Sequence, residues 1–118
     1  MAVVGVANCS AAGDEAGVAA AVAAAAAADT VVLALGTDLT IAAEGKDAQN
    51  LTLSPAQQTL AARVLAAAKG PVLVLLTTAV PLDISELLAH PKVGAILHLG
   101  VPGTQAVGVG AVLFGEKR

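Results

Sequence analysis

TVVLALGTDLTIAAEGKDAQNLTLSPAQQ, Thr30 to Gln58, holds a strand, a long connection and a helix start in one run. Thr30 to Leu35 is apolar and β-branched and is bounded by Asp29 and Gly36, which reads as a strand covered on both faces. At the other end Ser54 can cap a helix, Pro55 fits its first position, and Gln57 stands three residues after Ser54 as in a capping box. The connection from Gly36 to Ser54 carries three of the nine acidic residues, Asp38, Glu44 and Asp47. Connections in compact α/β domains run to about 2–6 residues, and longer ones tend to carry function. A loop at the carboxyl end of a parallel strand is also where open α/β sheets hold ligands.

Outward from this stretch the pattern alternates. Val3 to Ala7 reads as an opening strand, and Asp14 to Ala28 as an alanine-rich helix starting at Gly13-Asp14. The helix begun at Ser54 should end at Lys69-Gly70, with a cation and a C-cap glycine. Pro71 to Thr77 is a buried strand, Ile84 to Ala89 a short helix closed by His90-Pro91, and Val93 to Leu99 a further strand. Thr104 to Phe114 can form a last helix, weakened by Gly108 and Gly110. Short links and right-handed crossovers turn this order into a three-layer α/β/α sandwich with a mainly parallel sheet, one domain over residues 1–118.

Composition narrows the function classes. The 118 residues are 57% hydrophobic, 1% aromatic and 13% charged, so the core is built from Ala, Val, Leu and Ile. A net charge of −3 without a basic cluster or stacking aromatics speaks against nucleic-acid binding. The apolar run Ala16 to Ala28 is too short to span a bilayer, which takes about 20 residues, so no membrane partner is expected. The first residues do not read as a signal peptide. Lone Cys9 excludes an internal disulfide and a thiolate metal cluster, and reads as a small buried or half-buried side chain. His90 and His98 lack metal-ligand spacing; His98 reads as a hydrogen-bonded core or strand-end histidine and His90 as a helix-terminal cation or a surface residue. No metal and no cofactor are expected. Gly108 and Gly110 fall within a predicted helix rather than between strand and helix, so they do not form a dinucleotide loop. The sequons Asn8-Cys9-Ser10 and Asn50-Leu51-Thr52 matter only in a secreted protein.

Read together, AAAAAADTVVLALGTDLTIAAEGKDAQNLTLSPAQQ, GPVLVLLTTAVPLDIS and VGAILHLGVPGTQAVGVGAVLFGE resemble the C-terminal α/β domain of glycoside hydrolase family 3, the β-xylosidase and β-glucosidase branch above all. The resemblance implies a two-domain retaining β-glycosidase acting on terminal β-linked sugars. A preceding barrel would supply the aspartate nucleophile, and this domain the loop with the acid/base glutamate. Such enzymes hold two carboxyls about 5–5.5 Å apart. Glu44, in Glu44-Gly45-Lys46-Asp47, matches the acid/base position, and Asp47 with Lys46 would support the sugar. Pro81, Asp83 and the Pro102-Gly103 turn match scaffold positions at the domain interface. Relatives carry an acidic residue where this chain has Ala42 and an arginine where it has Ala48.

Two expectations follow from a barrel standing outside these residues. The isolated chain should lack appreciable glycosidase activity, and a contiguous apolar or poorly charged patch should surround the 36–53 loop and the Pro102-Gly103 turn. The alternative is a non-catalytic α/β module for self-association, as a homo-oligomer, or for protein binding. A weaker third class is a small nucleotide-binding α/β protein.

Overall fold

A computed structural model describes residues 1–6, 9, 14–103 and 108–117. In chain order the elements are α1 (Glu15–Ala27), β1 (Val31–Gly36), α2 (Pro55–Ala67), β2 (Val72–Thr77), α3 (Ser85–Ala89), β3 (Val93–His98) and α4 (Gly108–Leu113). The strands form one parallel sheet in the order β1-β2-β3, with Val31 opposite Val72 and Val74 opposite Ile96. The fold class is α/β with a parallel sheet, as the sequence implies.

The helices owe their ends to side chains. Asp14 caps α1 by accepting from the Gly17 amide at 3.1 Å, and alanine propensity carries the rest. Ser54 caps α2 by accepting from the Gln57 amide, with Pro55 in the first helical turn. The expected glycine C-cap of α2 is not used: the helix ends at Ala67, with Ala68 as its C-cap. Lys92, at the start of the next crossover's return, donates instead to the carbonyls of Ala66 (2.9 Å) and Ala68 (2.7 Å). Lys69 does serve a helix end, but that of α1, through the Ala27 carbonyl at 3.2 Å. Both are cations at the negative end of a helix, where they are favourable.

One core joins the helices to the sheet. Val18 and Ala25 of α1, Leu60, Val64 and Leu65 of α2, and Leu87 of α3 meet Leu33, Leu35, Val74 and Leu76 of the sheet. Strand order β1-β2-β3 advances in one direction, so right-handed crossovers place α2 and α3 on the same face. The cover expected on both faces of β1 is therefore one-sided among the described residues: Leu33 and Leu35 are buried, while Val32 is 43% exposed and Ala34 is exposed. Helix α4 contributes no buried residue.

The opening strand expected at Val3–Ala7 is not formed over Val3–Val6, which run in irregular conformation; Ala7 lies outside the described residues. The reason is packing. A Cβ added at Gly5 would meet Leu60 Cδ1 at 2.6 Å, and one at Gly17 would meet the Gly5 carbonyl at 2.9 Å. This segment is thus laid on α1 and α2 instead of in the sheet. Gly13, the sequon residues Asn8 and Ser10, and residues 104–107 of the expected last helix also lie outside the described residues. Among the described residues no helix is long and apolar enough to cross a membrane, and no three His, Cys, Asp or Glu groups gather as a metal site.

Candidate active-site loop at the carboxyl edge of the sheet

The connection from Thr37 to Ser54 leaves the carboxyl end of β1, as its sequence demands. Its first residues are fastened to the neighbouring strand: the Thr37 amide donates to the Thr77 carbonyl at 2.9 Å, and the Ala79 amide to Thr37 Oγ1 at 3.3 Å. A Cβ on Gly36 would lie 2.0 Å from the Thr77 oxygen, so only glycine allows the two strand ends this close.

Gln57 holds the same point from the other side. It is 3% exposed, and its amide accepts from the Gly36 N–H (2.9 Å) while donating to the Gly36 carbonyl (2.8 Å) and the Cys9 carbonyl (3.0 Å). Only half of the capping box expected at Ser54 and Gln57 therefore exists. The Gln57 side chain turns inward, because unpaired buried backbone groups cost more than a solvent-facing cap contributes. The signal was present in the sequence: Gln57 stands one turn before Leu60 and Ala61 on the apolar face of α2.

Beyond this root the loop builds its own turns. Asp38 accepts from the Thr40 amide at 2.9 Å and from the Thr40 hydroxyl, and the Ile41 amide closes on the Asp38 carbonyl at 3.0 Å. The Thr40 hydroxyl, then its amide, hold the Asp38 carboxyl below the ordinary carboxylate range. The Cys9 amide reaches Asp38 Oδ2 at 3.4 Å. Half-buried Cys9, as expected of it, has its thiol pushed up, first by burial and then by the Asp38 charge. The loop's far end is tied to the β2–α3 connection, where the Asp83 amide donates to the Leu51 carbonyl at 2.7 Å. Asp83 is itself shaped by Ser85, whose hydroxyl and amide donate to Oδ1 at 2.6 and 2.9 Å and lower its pKa.

Glu44, Lys46 and Asp47 come together on the middle of this loop. Ala43 and Lys46 form an antiparallel bridge through two backbone hydrogen bonds of 3.0 and 2.9 Å, leaving Glu44 and Gly45 at the turn apex. Gly45 has φ +72°, the left-handed conformation that glycine adopts without a Cβ clash. Glu44, Lys46 and Asp47 are all exposed. The Lys46 ammonium folds back onto the Thr40 carbonyl, while neither the Glu44 nor the Asp47 carboxylate has a hydrogen-bond partner among the described residues. None of the three lines the principal cavities. A cavity of about 410 Å³ at the carboxyl ends of β2 and β3 is bounded by Thr78, Val80, Pro81, Leu82 and His98. There His98 is paired with Thr78 Oγ1 at 3.0 Å, the strand-end hydrogen bond expected of it. His90 is the residue that ends α3, accepting from the Lys92 amide at 3.2 Å.

This edge is not uniformly polar. Leu39 and Leu51 on the loop are 79% and 52% exposed, and Val101 before the Pro102-Gly103 turn is 72% exposed.

Residues 5–118 match the family model described as the glycosyl hydrolase family 3 C-terminal domain. The chain is 40% identical over 90 residues to beta-D-xylosidase 1 of Arabidopsis thaliana, covering 75% of this chain and 12% of that protein. It is 37% identical over 109 residues to beta-D-xylosidase 3 of the same plant, covering 92% of this chain and 14% of the relative. Against beta-xylosidase/alpha-L-arabinofuranosidase 2 of Medicago sativa subsp. varia it is 35% identical over 89 residues, again 75% of this chain and 12% of the relative. The chain thus spans about an eighth of the length of these relatives. A parallel α/β body, a long loop after β1 and a family match from Gly5 onward agree: the chain belongs to the glycosyl hydrolase family 3 C-terminal domain family.

Proposed function

We propose that this domain presents the proton-donating loop of a retaining β-glycosidase of the β-xylosidase type. Glu44 is the acid/base group, and Asp47 and Lys46 steady the loop or the sugar. The observation that carries this reading is the placement of Glu44: an exposed carboxylate at the apex of a glycine turn, on a loop whose root is pinned to the sheet. An acid that must serve a sugar held by another domain has to stand clear of its own fold, and this one does.

The chemistry follows from the two-carboxylate scheme. A nucleophile on a companion barrel attacks the anomeric carbon while Glu44 gives its proton to the departing glycosidic oxygen. Glu44 then takes a proton from the water that releases the glycosyl-enzyme intermediate. Alone, the domain has an acid without a nucleophile and is inactive.

The test uses two proteins. The 118-residue chain should not hydrolyse aryl β-D-xylosides or β-D-glucosides. In a protein joining this domain to a family barrel, Glu44→Gln should lower kcat by at least about 10²-fold for substrates with poor leaving groups. The loss should be far smaller for a dinitrophenyl xyloside, which departs without a proton. Equal loss on both substrates would remove Glu44 from the acid role. Unchanged activity would favour the non-catalytic module, for which solution size measurements would then look for a stable homo-oligomer.

A further inference from the structure

Of the two sequons, Asn50-Leu51-Thr52 lies wholly among the described residues. It sits on the returning leg of the β1–α2 loop, after the bridge between Ala43 and Lys46 and ahead of the Ser54 cap. Asn50, Leu51 and Thr52 are all exposed, and the chain re-enters the core only at Leu53. The Asn50 side-chain oxygen accepts from the Thr52 amide at 3.1 Å. An N–H donor must face the oxygen of a carboxamide and not its nitrogen, so the orientation of this side chain is fixed. The oxygen is turned into the Asx turn. Nδ2 is turned away from it and has no hydrogen-bond partner among the described residues, nor has the Thr52 hydroxyl. The backbone beneath them is held, because the Leu51 carbonyl accepts from the Asp83 amide at 2.7 Å. The other sequon is centred on half-buried Cys9, whose amide donates to Asp38 at 3.4 Å and whose carbonyl accepts from Gln57 at 3.0 Å.

We propose that Asn50 is a glycan attachment site: its Nδ2 receives an oligosaccharide from a polyprenyl-diphosphate-linked donor. The transfer forms a bond between Nδ2 and the anomeric carbon of the first sugar, and breaks the bond from that carbon to the diphosphate oxygen. The lipid diphosphate leaves with the electron pair, the amide gives up one proton, and nothing is oxidised or reduced. The reaction must reach an asparagine amide nitrogen and read a hydroxyl two residues on, with a residue other than proline between them. Those are the two side-chain groups that this loop leaves unused, with Leu51 between them. A bulky, solvated substituent on Nδ2 displaces no packed side chain, since the three residues of the sequon are all at the surface. It also covers apolar surface, because Leu51 is 52% exposed and Asn50 stands next to it. The attachment requires that the polypeptide pass through a compartment where such lipid-linked donors are held. The inference is independent of the role given to Glu44.

Trypsin, cutting after Lys46 and Arg63, releases residues 47–63, in which Asn50 is the only asparagine. In the protein isolated from the cells that make it, this peptide should carry a glycan that peptide N-glycosidase removes. Run in heavy-oxygen water, the removal should leave a labelled aspartate at position 50. The 118-residue chain with Asn8→Gln, secreted behind a cleavable leader from a eukaryotic host, should gain one glycan on the same peptide. Asn50→Gln and Thr52→Ala should each abolish it and leave the circular dichroism spectrum unchanged, while Glu44→Gln should leave the glycan in place. The thermal midpoint of the glycosylated chain should lie no more than about 3 °C below that of the enzymatically deglycosylated one, as for a change confined to the surface. Unmodified asparagine at position 50 in the natural protein or in the secreted chain would overturn the proposal. So would a glycan on this peptide that survives Thr52→Ala, or a larger fall in the midpoint, which would mean that the native loop does not accommodate the substituent.

Discussion

The root and the apex of the β1–α2 loop are built on opposite principles. At the root, buried Gln57 ties Gly36 to Cys9, Thr37 is bonded to Thr77, and Leu51 at the far end is bonded to Asp83. At the apex, among the described residues, Glu44 and Gly45 are held by the bridge between Ala43 and Lys46 and by the reach of Lys46 to Thr40. Buried hydrogen bonds are costly to lose, whereas exposed ones exchange with water at little net cost. The loop therefore has a firm mount and an adjustable tip. A group that must meet a surface outside its own domain benefits from that division, since the mount fixes where the tip emerges and the tip adapts on contact.

The largest test strikes the mount. Gln57→Leu keeps the size and removes three hydrogen bonds, leaving the buried N–H and C=O of Gly36 without partners. A loss of roughly 3 kcal/mol in unfolding free energy is expected, from one or two unsatisfied buried groups at about 1–3 kcal/mol each. Urea denaturation measures it. A loss below about 1 kcal/mol would mean that the root is not the fixed point described above. The matching change at the tip, Gly45→Ala, forces a Cβ into a left-handed turn at a strain of roughly 1–2 kcal/mol. No neighbour lies within 4 Å of the added Cβ, so the strain is backbone strain alone. The turn can open without the core following. Global stability should therefore fall by less than about 1 kcal/mol, while exchange of the Lys46 amide with solvent accelerates.

These two positions also show what could be read from residues in a row. β1, β2 and β3 were legible because their apolar runs are short, β-branched and bounded by turn residues. The loop was legible because of its length. Gln57 was half legible: spacing from Ser54 gave its backbone role, while its side chain answered to an unpaired strand edge that local sequence does not display. Val3–Val6 has strand composition and still makes no strand, because Gly5 and Gly17 allow it to sink onto α1 and α2. Tertiary packing overrode propensity there. For Glu44, Lys46 and Asp47 the sequence located the turn but not the surface it addresses, since that surface belongs to another part of the enzyme in the reading proposed here.

A smaller effect tests the junction between mount and tip, where Asp38 touches both Thr40 and Cys9. Its carboxyl is lowered by the Thr40 hydroxyl and amide, so its contribution to stability is full above the unfolded carboxylate range. That contribution disappears as pH falls through the lower folded value. The residue is half-buried at the surface, so Asp38→Asn should change global stability by no more than about 0.5 kcal/mol.

The smallest signal is chemical and comes from the same pair. The Cys9 thiol is raised first by burial and second by the Asp38 charge. Alkylation requires the thiolate, so Cys9 should react more slowly with iodoacetamide at pH 8 than it does in the urea-unfolded chain. Removing the charge with Asp38→Asn lowers the thiol pKa and should speed the reaction in the folded protein, but only in part, because burial is the larger cause. If Asp38→Asn brought the rate up to that of the unfolded chain, charge would outweigh burial, and the Gln57 clamp could not be keeping residue 9 packed at the root.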